Sequence, residues 1–179
     1  TYTFNNLNIG DSSTSSTLTL QDAIVTGILT VVSSSGTNAL TLANGSIIEL
    51  SGSGTPFVIG AGETFTPGTS SVQYTSGSGA NVTATTYGHV AISGTGTFVL
   101  GTAGGQTITI GASAGDTASF VVNSGTTVDA DTYDPAVQIN GQSVLGGALV
   151  IANGAAWTKG SGTITFASSS VQLWQDGTA

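Results

Sequence analysis

Apolar and polar residues alternate one for one in short bursts along this chain, as in Leu7-Asn8-Ile9, Thr17-Leu18-Thr19-Leu20, Thr107-Ile108-Thr109-Ile110 and Thr163-Ile164-Thr165-Phe166. Period-two alternation carried by Thr, Val and Ile puts one side of an extended segment against a core and leaves the other in water. No apolar stripe with helical spacing lasts longer than a turn, and the helix formers Glu, Lys, Arg and Met are scarce. Turn clusters such as Ser33-Ser34-Ser35-Gly36, Asn44-Gly45 and Gly160-Ser161-Gly162 separate the bursts. The pattern predicts an all-β chain with strands about three to six residues long.

The bursts repeat weakly but in order. Leu7-Asn8-Ile9 matches Val90-Ala91-Ile92, Thr17–Leu20 matches Thr107–Ile110, and Val31-Val32-Ser33 matches Val121-Val122-Asn123. Further on, Leu42-Ala43-Asn44-Gly45 matches Ile151-Ala152-Asn153-Gly154, Gly52–Thr55 matches Gly160–Thr163, and Ser70–Gln73 matches Ser169–Gln172. These matches describe one β domain over 1–179 made of two divergent repeats, about 1–83 and 84–179. The second carries an insertion near 126–143. An insertion of about 19 residues approximates one coil of a β-solenoid with three short strands per turn, and a stack gains a whole coil without disturbing its neighbours. Roughly eight or nine coils at about 4.8 Å per rung would make a rod about 40 Å long. The chain stops and restarts at nearly the same phase of its repeat. It opens directly on Thr1-Tyr2-Thr3 with no signal-peptide pattern, so it is expected to be a mature protein or an excerpt of a longer array. Open strand edges at both ends recruit another chain unless capped. The assembly ends are assigned to Thr1, Tyr2, Phe4, Leu7, Val171, Leu173 and Trp174.

Thr3-Phe4-Asn5-Asn6-Leu7-Asn8-Ile9, with Ser70-Ser71-Val72-Gln73-Tyr74 and Thr85-Thr86-Tyr87, resembles phrases of long secreted bacterial and archaeal surface proteins. Those are similar to filamentous-haemagglutinin and autotransporter-passenger stalks. The resemblance implies a right-handed parallel β-helix and carries no catalytic residue with it. A jelly-roll-like β-sandwich with strand exchange between subunits is the alternative fold.

Composition narrows the function. Of 179 residues, 39% are hydrophobic and only 6% charged, against about 25% charged in ordinary soluble domains. Abundant β-branched residues in ordered bursts separate the chain from disordered ones, which lack enough apolar surface to bury. Net charge is −8, Lys159 is the lone base and Arg is absent. Nucleic acid and anionic membranes, both of which need Lys and Arg, are excluded as expected partners. No stretch is apolar for long enough to predict membrane insertion. With no Cys there are no disulfides or thiolate metal sites. No Met and one trypsin site suit a protein exposed outside the cell, at its surface.

Candidate chemistry is sparse. The acids Asp11, Asp22, Glu49, Glu63, Asp116, Asp129, Asp131, Asp134 and Asp176 show no acid–base pairing of the kind β-helix polysaccharidases need. The one cluster, Asp129-Ala130-Asp131-Thr132-Tyr133-Asp134, offers oxygen ligands for Ca²⁺ but lacks the glycine and terminal Glu of an EF-hand loop. Its simpler role is a solvated turn. His89 alone makes no zinc site and is expected at a surface or strand end. Lys159 is expected as a lone exposed turn residue rather than an isopeptide donor. Asn44-Gly45-Ser46 and Asn81-Val82-Thr83 fit the N-glycosylation pattern. Phe57, Phe65, Phe98, Phe120, Phe166, Trp157 and Trp174 are assigned to stacking between coils rather than to sugar binding. Thr-x-Thr rows would make a flat ice-binding face, but they alternate with Leu and Ile that need a core, and Thr is a good strand former in any case.

Three functions follow. The first is a non-enzymatic extracellular structural protein, a filament subunit or stalk repeat that forms a homo-polymer head to tail. The second is an adhesin or carbohydrate-binding module for surface glycans, and the third a polysaccharide-degrading enzyme. No cofactor is expected beyond the calcium candidate.

Overall fold

A computed structural model describes residues 1–10, 15–34, 36–111, 118–140, 148–166 and 173–176, and every regular element among them is a β-strand. The chain climbs in coils of three strands. The first coil holds β1 (Tyr2–Phe4), β2 (Leu7–Ile9) and β3 (Thr17–Leu20), and the second β4 (Ala23–Val25), β5 (Leu29–Val31) and β6 (Ala39–Leu42). The third holds β7 (Ile47–Leu50), β8 (Phe57–Ile59) and β9 (Thr64–Thr66), and the fourth β10 (Ser71–Tyr74), β11 (Ala80–Val82) and β12 (Thr86–Tyr87). The fifth holds β13 (His89–Ile92), β14 (Thr97–Leu100) and β15 (Thr107–Ile110), and the sixth β16 (Ser119–Val122), β17 (Thr127–Asp129) and β18 (Ala136–Ile139). The seventh holds β19 (Ala148–Ile151), β20 (Ala156–Thr158) and β21 (Ile164–Phe166), and β22 (Leu173–Asp176) begins the next.

Each strand pairs in parallel with the strand three elements on, so the molecule is a β-solenoid and not a sandwich. The first face is one eight-stranded sheet, β1-β4-β7-β10-β13-β16-β19-β22. The second face is β2-β5-β8 followed by β11-β14-β17-β20, and the third is β3-β6-β9 followed by β12-β15-β18-β21. Eight strands at about 4.8 Å spacing give a first face about 34 Å tall.

Register partners on the first face lie 18 residues apart at the closest, Ser71 to His89, and 30 at the widest, His89 to Ser119. The expected nineteen-residue coil is met only at the short end. Strands keep nearly constant length while the corner loops absorb the difference. Residues 126–143 include β17 and β18, which complete a coil begun by β16. Thr17–Leu20 and Thr107–Ile110 both lie on the third face, as β3 and β15. Leu7–Ile9 lies on the second face, whereas its sequence match Val90–Ile92 lies on the first.

The core is a set of columns running along the stack. One column on the first face reads Ala23, Ile48, Val72, Val90, Phe120 and Leu149, all buried. Its neighbour reads Val25, Leu50, Tyr74, Ile92, Val122 and Ile151, also buried. Each large apolar side chain taken out of water contributes about 1.5–3 kcal/mol, and a single coil buries too few of them to stand alone.

A seam crosses the stack between the third and fourth coils. There the second and third faces lose their ladders, while the first face runs through from β7 to β10. On the second face the seam is crossed by one bridge, Gly54 to Ala80, by Asn81 Nδ2 donating to Thr55 Oγ1 and by the Thr83 hydroxyl donating to the Phe57 carbonyl. Aromatic rings fill the interior at this level. Phe57 packs edge-on against Phe65 at 5.0 Å, and Phe65 against Tyr87 at 6.1 Å.

Candidate functional site

The polar side chains that do identifiable work sit at the corners, where the chain turns from one face to the next. A corner carboxylate or amide oxygen accepts a backbone N–H from the coil above. Asn6 Oδ1 accepts from Ile28 N–H (2.8 Å), Asp22 Oδ1 from Ile47 N–H (2.8 Å), and Asn44 Oδ1 from Thr69 N–H (3.2 Å). In the opposite direction, buried Asn38 accepts the Ser16 N–H at 2.9 Å and donates its own N–H to Glu63. Corner threonines act as donors: Thr75 Oγ1 to Glu49 (2.9 Å), Thr126 Oγ1 to the Gly94 carbonyl (2.9 Å), and Thr95 Oγ1 to the Gly77 carbonyl (2.8 Å). A corner cannot complete a ladder, so these side chains satisfy amides and carbonyls that would otherwise lack partners.

The acidic cluster follows the same logic. Asp129 closes its own turn, accepting from the Asp131 N–H (2.8 Å), the Thr132 N–H (3.0 Å) and the Thr132 hydroxyl (2.6 Å). The Thr132 hydroxyl bond is the main reason its carboxyl sits below the ordinary range. Asp134 takes a left-handed backbone (φ 48°) and accepts the Ser161 and Gly162 N–H groups of the following coil. Its carboxyl is also held low, chiefly by Ser161. Asp131 lies exposed between them. N–H groups pointing at a carboxylate present the wrong polarity to a cation. Among the described residues no three acids, histidines or cysteines gather into a metal-sized group.

Of the glycosylation candidates, Asn44 is exposed in a turn, and Asn81 lies within β11 with its Nδ2 donating to Thr55 Oγ1 at 3.1 Å. His89 starts β13, half-buried, its Nδ1 2.9 Å from Ser119 Oγ in the next coil. Lys159 is exposed between β20 and β21. Phe57, Phe98 and Phe120 are fully buried, and half-buried Trp157 packs edge-on against Phe120 at 5.7 Å. Phe65 and Phe166 are half-buried against the core.

At the first coil, β1 and β2 pair on one side only, with β4 and β5. Tyr2 is in register with the core column that begins at Ala23, yet it is 71% exposed. Phe4 and Leu7 are half-buried and Thr1 is exposed. At the other end Leu173 and Trp174 belong to β22, paired to β19. Val171 lies outside the described residues.

Sequence reasoning missed one grouping. The pairing of β4 with β7 brings Asp22 and Glu49 to a depression of about 320 Å³ on the first face, lined also by Thr1, Ile24, Ile47 and Gln73. Both carboxylates already accept hydrogen bonds there, Asp22 from Ile47 and Glu49 from Thr75. The missed signal was an acid recurring one coil apart. Among the described residues no helix is long and apolar enough to cross a membrane.

The chain is a parallel β-solenoid, and the polar side chains at its corners join coil to coil. No family model matches it, and no curated protein or solved structure matches it either.

Proposed function

We propose that this chain is a length-giving segment of an extracellular surface structure, a stalk repeat or filament subunit whose stack continues head to tail. The observation that carries this reading is the unbroken first face. Eight parallel strands hydrogen-bond along the rod axis, and a parallel ladder extends by the same rule at every step. The exposed core-column position of Tyr2 supports it, because a further rung beneath β1 would bury that ring. Such a rung comes either from more coils of one chain or from a second copy. Surface chemistry supports it as well, since a sheath of Ser, Thr, Asn and Gly with one Lys is hydrated and offers trypsin-like proteases a single cleavage site.

Electron microscopy of native surface material, with antibody against this chain, tests the reading. Rods or fibres with an axial repeat of one chain, about 38 Å for eight rungs, are the expected result. Compact monomers without axial continuation at any concentration would remove it.

A further inference from the structure

The third face differs from the other two in what it shows to water. Its central outward column reads Thr19, Thr41, Thr66 through β3, β6 and β9, then Thr86, Thr109, Gln138, Thr165 through β12, β15, β18 and β21. Six of these seven positions are threonine. The corresponding column of the first face from β1 to β19, Thr3, Ile24, Glu49, Gln73, Ala91, Val121 and Val150, has one in seven. On the second face only Thr30 and Thr158 are threonine among seven. All three faces are built from strands, so strand propensity does not account for threonine gathering on one of them. A companion column two residues earlier mixes threonine with alanine, Thr17, Ala39 and Thr64 on the lower ladder and Thr107 and Ala136 on the upper.

The chemistry of this face is uniform. Neither column carries a charge or an outward aromatic ring, because Phe65 and Phe166 turn toward the core. The corner threonines Thr75, Thr95 and Thr126 give their hydroxyls to protein acceptors. None of the six column hydroxyls has a protein partner among the described residues. Within each of the two ladders of this face, β3-β6-β9 and β12-β15-β18-β21, the column presents free hydroxyls and methyls about 4.8 Å apart along the axis, and in β3, β9 and β15 a second threonine stands about 6.6 Å along the strand. Threonine's branched Cβ restricts χ1, which keeps the rows aligned without immobilising them on binding.

We propose that the third face binds an ordered lattice of water, the surface of ice. A two-dimensional, uncharged, stiff array of hydroxyl and methyl groups matches a flat crystal of water, whose oxygens recur on spacings of that size. Methyls exclude disordered water between the rows while the hydroxyls join the lattice. A crystalline polysaccharide has comparable repeats, but sugar faces are gripped by exposed aromatic rings, and this face has none. The inference does not depend on how the ends of the stack are continued.

Slow directional freezing of the whole chain tests it, measuring protein in the ice and in the remaining liquid, together with thermal hysteresis. Wild type is expected to enter the ice and to depress the growth temperature. Thr41→Lys and Thr109→Lys, each placing a bulky charge in the array, are expected to lose both effects. Gln73→Lys on the first face is expected to keep them, with far-ultraviolet circular dichroism reporting an intact fold in all three. Exclusion of the wild type from ice overturns the proposal whatever the variants do. Equal loss in Gln73→Lys also overturns it. Retention on crystalline cellulose or chitin that the third-face variants abolish, with no uptake into ice, reassigns the face to polysaccharide.

Discussion

Tyr74 and Tyr87 meet hydroxyl to hydroxyl at 2.8 Å in the centre of the stack, both rings fully buried. Tyr87 donates to the Thr83 carbonyl at 2.7 Å, leaving Tyr74 to donate to Tyr87 and to accept the Thr83 N–H at 3.3 Å. This closed polar circuit sits where two of the three faces interrupt their ladders. It ties β10, the corner at Thr83 and β12 together within the fourth coil, the shortest.

Burial pushes the Tyr74 hydroxyl up to about 12 and raises that of Tyr87 well above the ordinary value of 10.0. The folded state thus holds protons that the unfolded chain releases near pH 10. The stability tied to them is complete below that point and declines as pH climbs through about 12. Phenolate absorbance should show Tyr74 and Tyr87 ionising only together with loss of β circular dichroism. Normal titration of both with the fold intact would contradict the buried circuit.

Tyr87→Phe keeps the ring and its contact with Phe65 but strands the Thr83 carbonyl and takes away the acceptor for Tyr74. An unsatisfied buried polar group costs about 1–3 kcal/mol, and that is the expected drop in urea-unfolding free energy. Hydrogen exchange should quicken first at Thr83 and in β11 and β12, while the first face stays protected.

Asp134→Ala removes the acceptor that ties the sixth coil to Ser161 and Gly162. Amide exchange at those two residues should speed up while the β16–β19 ladder is unchanged. Because the Asp134 carboxyl is held below its usual value, the tie is complete above the ordinary aspartate range. It weakens as pH falls through the lowered value, so acid should reproduce the exchange pattern of the variant.

Gly52→Ala should be among the most damaging single-methyl changes. A Cβ at Gly52 would stand 2.1 Å from the carbonyl oxygen of Gly27 in the coil below. That neighbour is backbone and cannot rotate away. The loss expected is about 1–3 kcal/mol, the range for overpacking a tight site, read as a lower melting temperature. At Gly45 nothing lies within 4 Å, although φ is +74°, so alanine there meets only backbone strain.

Much of the fold was legible because parallel stacking leaves its mark in local sequence. Thr107-Ile108-Thr109-Ile110 announces a strand with Ile108 and Ile110 inside, and the structure buries both. Coil length was not legible, since it depends on corner loops such as residues 101–106 between β14 and β15, which no ladder constrains. The Asp129–Asp134 cluster was read as a cation candidate because spacing alone does not show which N–H groups a carboxylate will meet. Asn6, Asp22 and Asn38 were missed because their partners lie in a different coil, 22 or 25 residues away. The threonine face needed the register. Along the sequence Thr19 and Thr41 are merely two strand residues, and only the pairing of β3 with β6 makes them adjacent.

Continuity of the first face past the seam gives the rod a direction of easy bending. Sideways force that stretches the second and third faces meets a single bridge and a few side-chain bonds between the third and fourth coils. Force that stretches the first face meets an intact ladder from β7 to β10. The molecule resembles a book with an uncut spine, able to open by folding toward its first face, and a long run of such units would curve more readily in that sense than in any other.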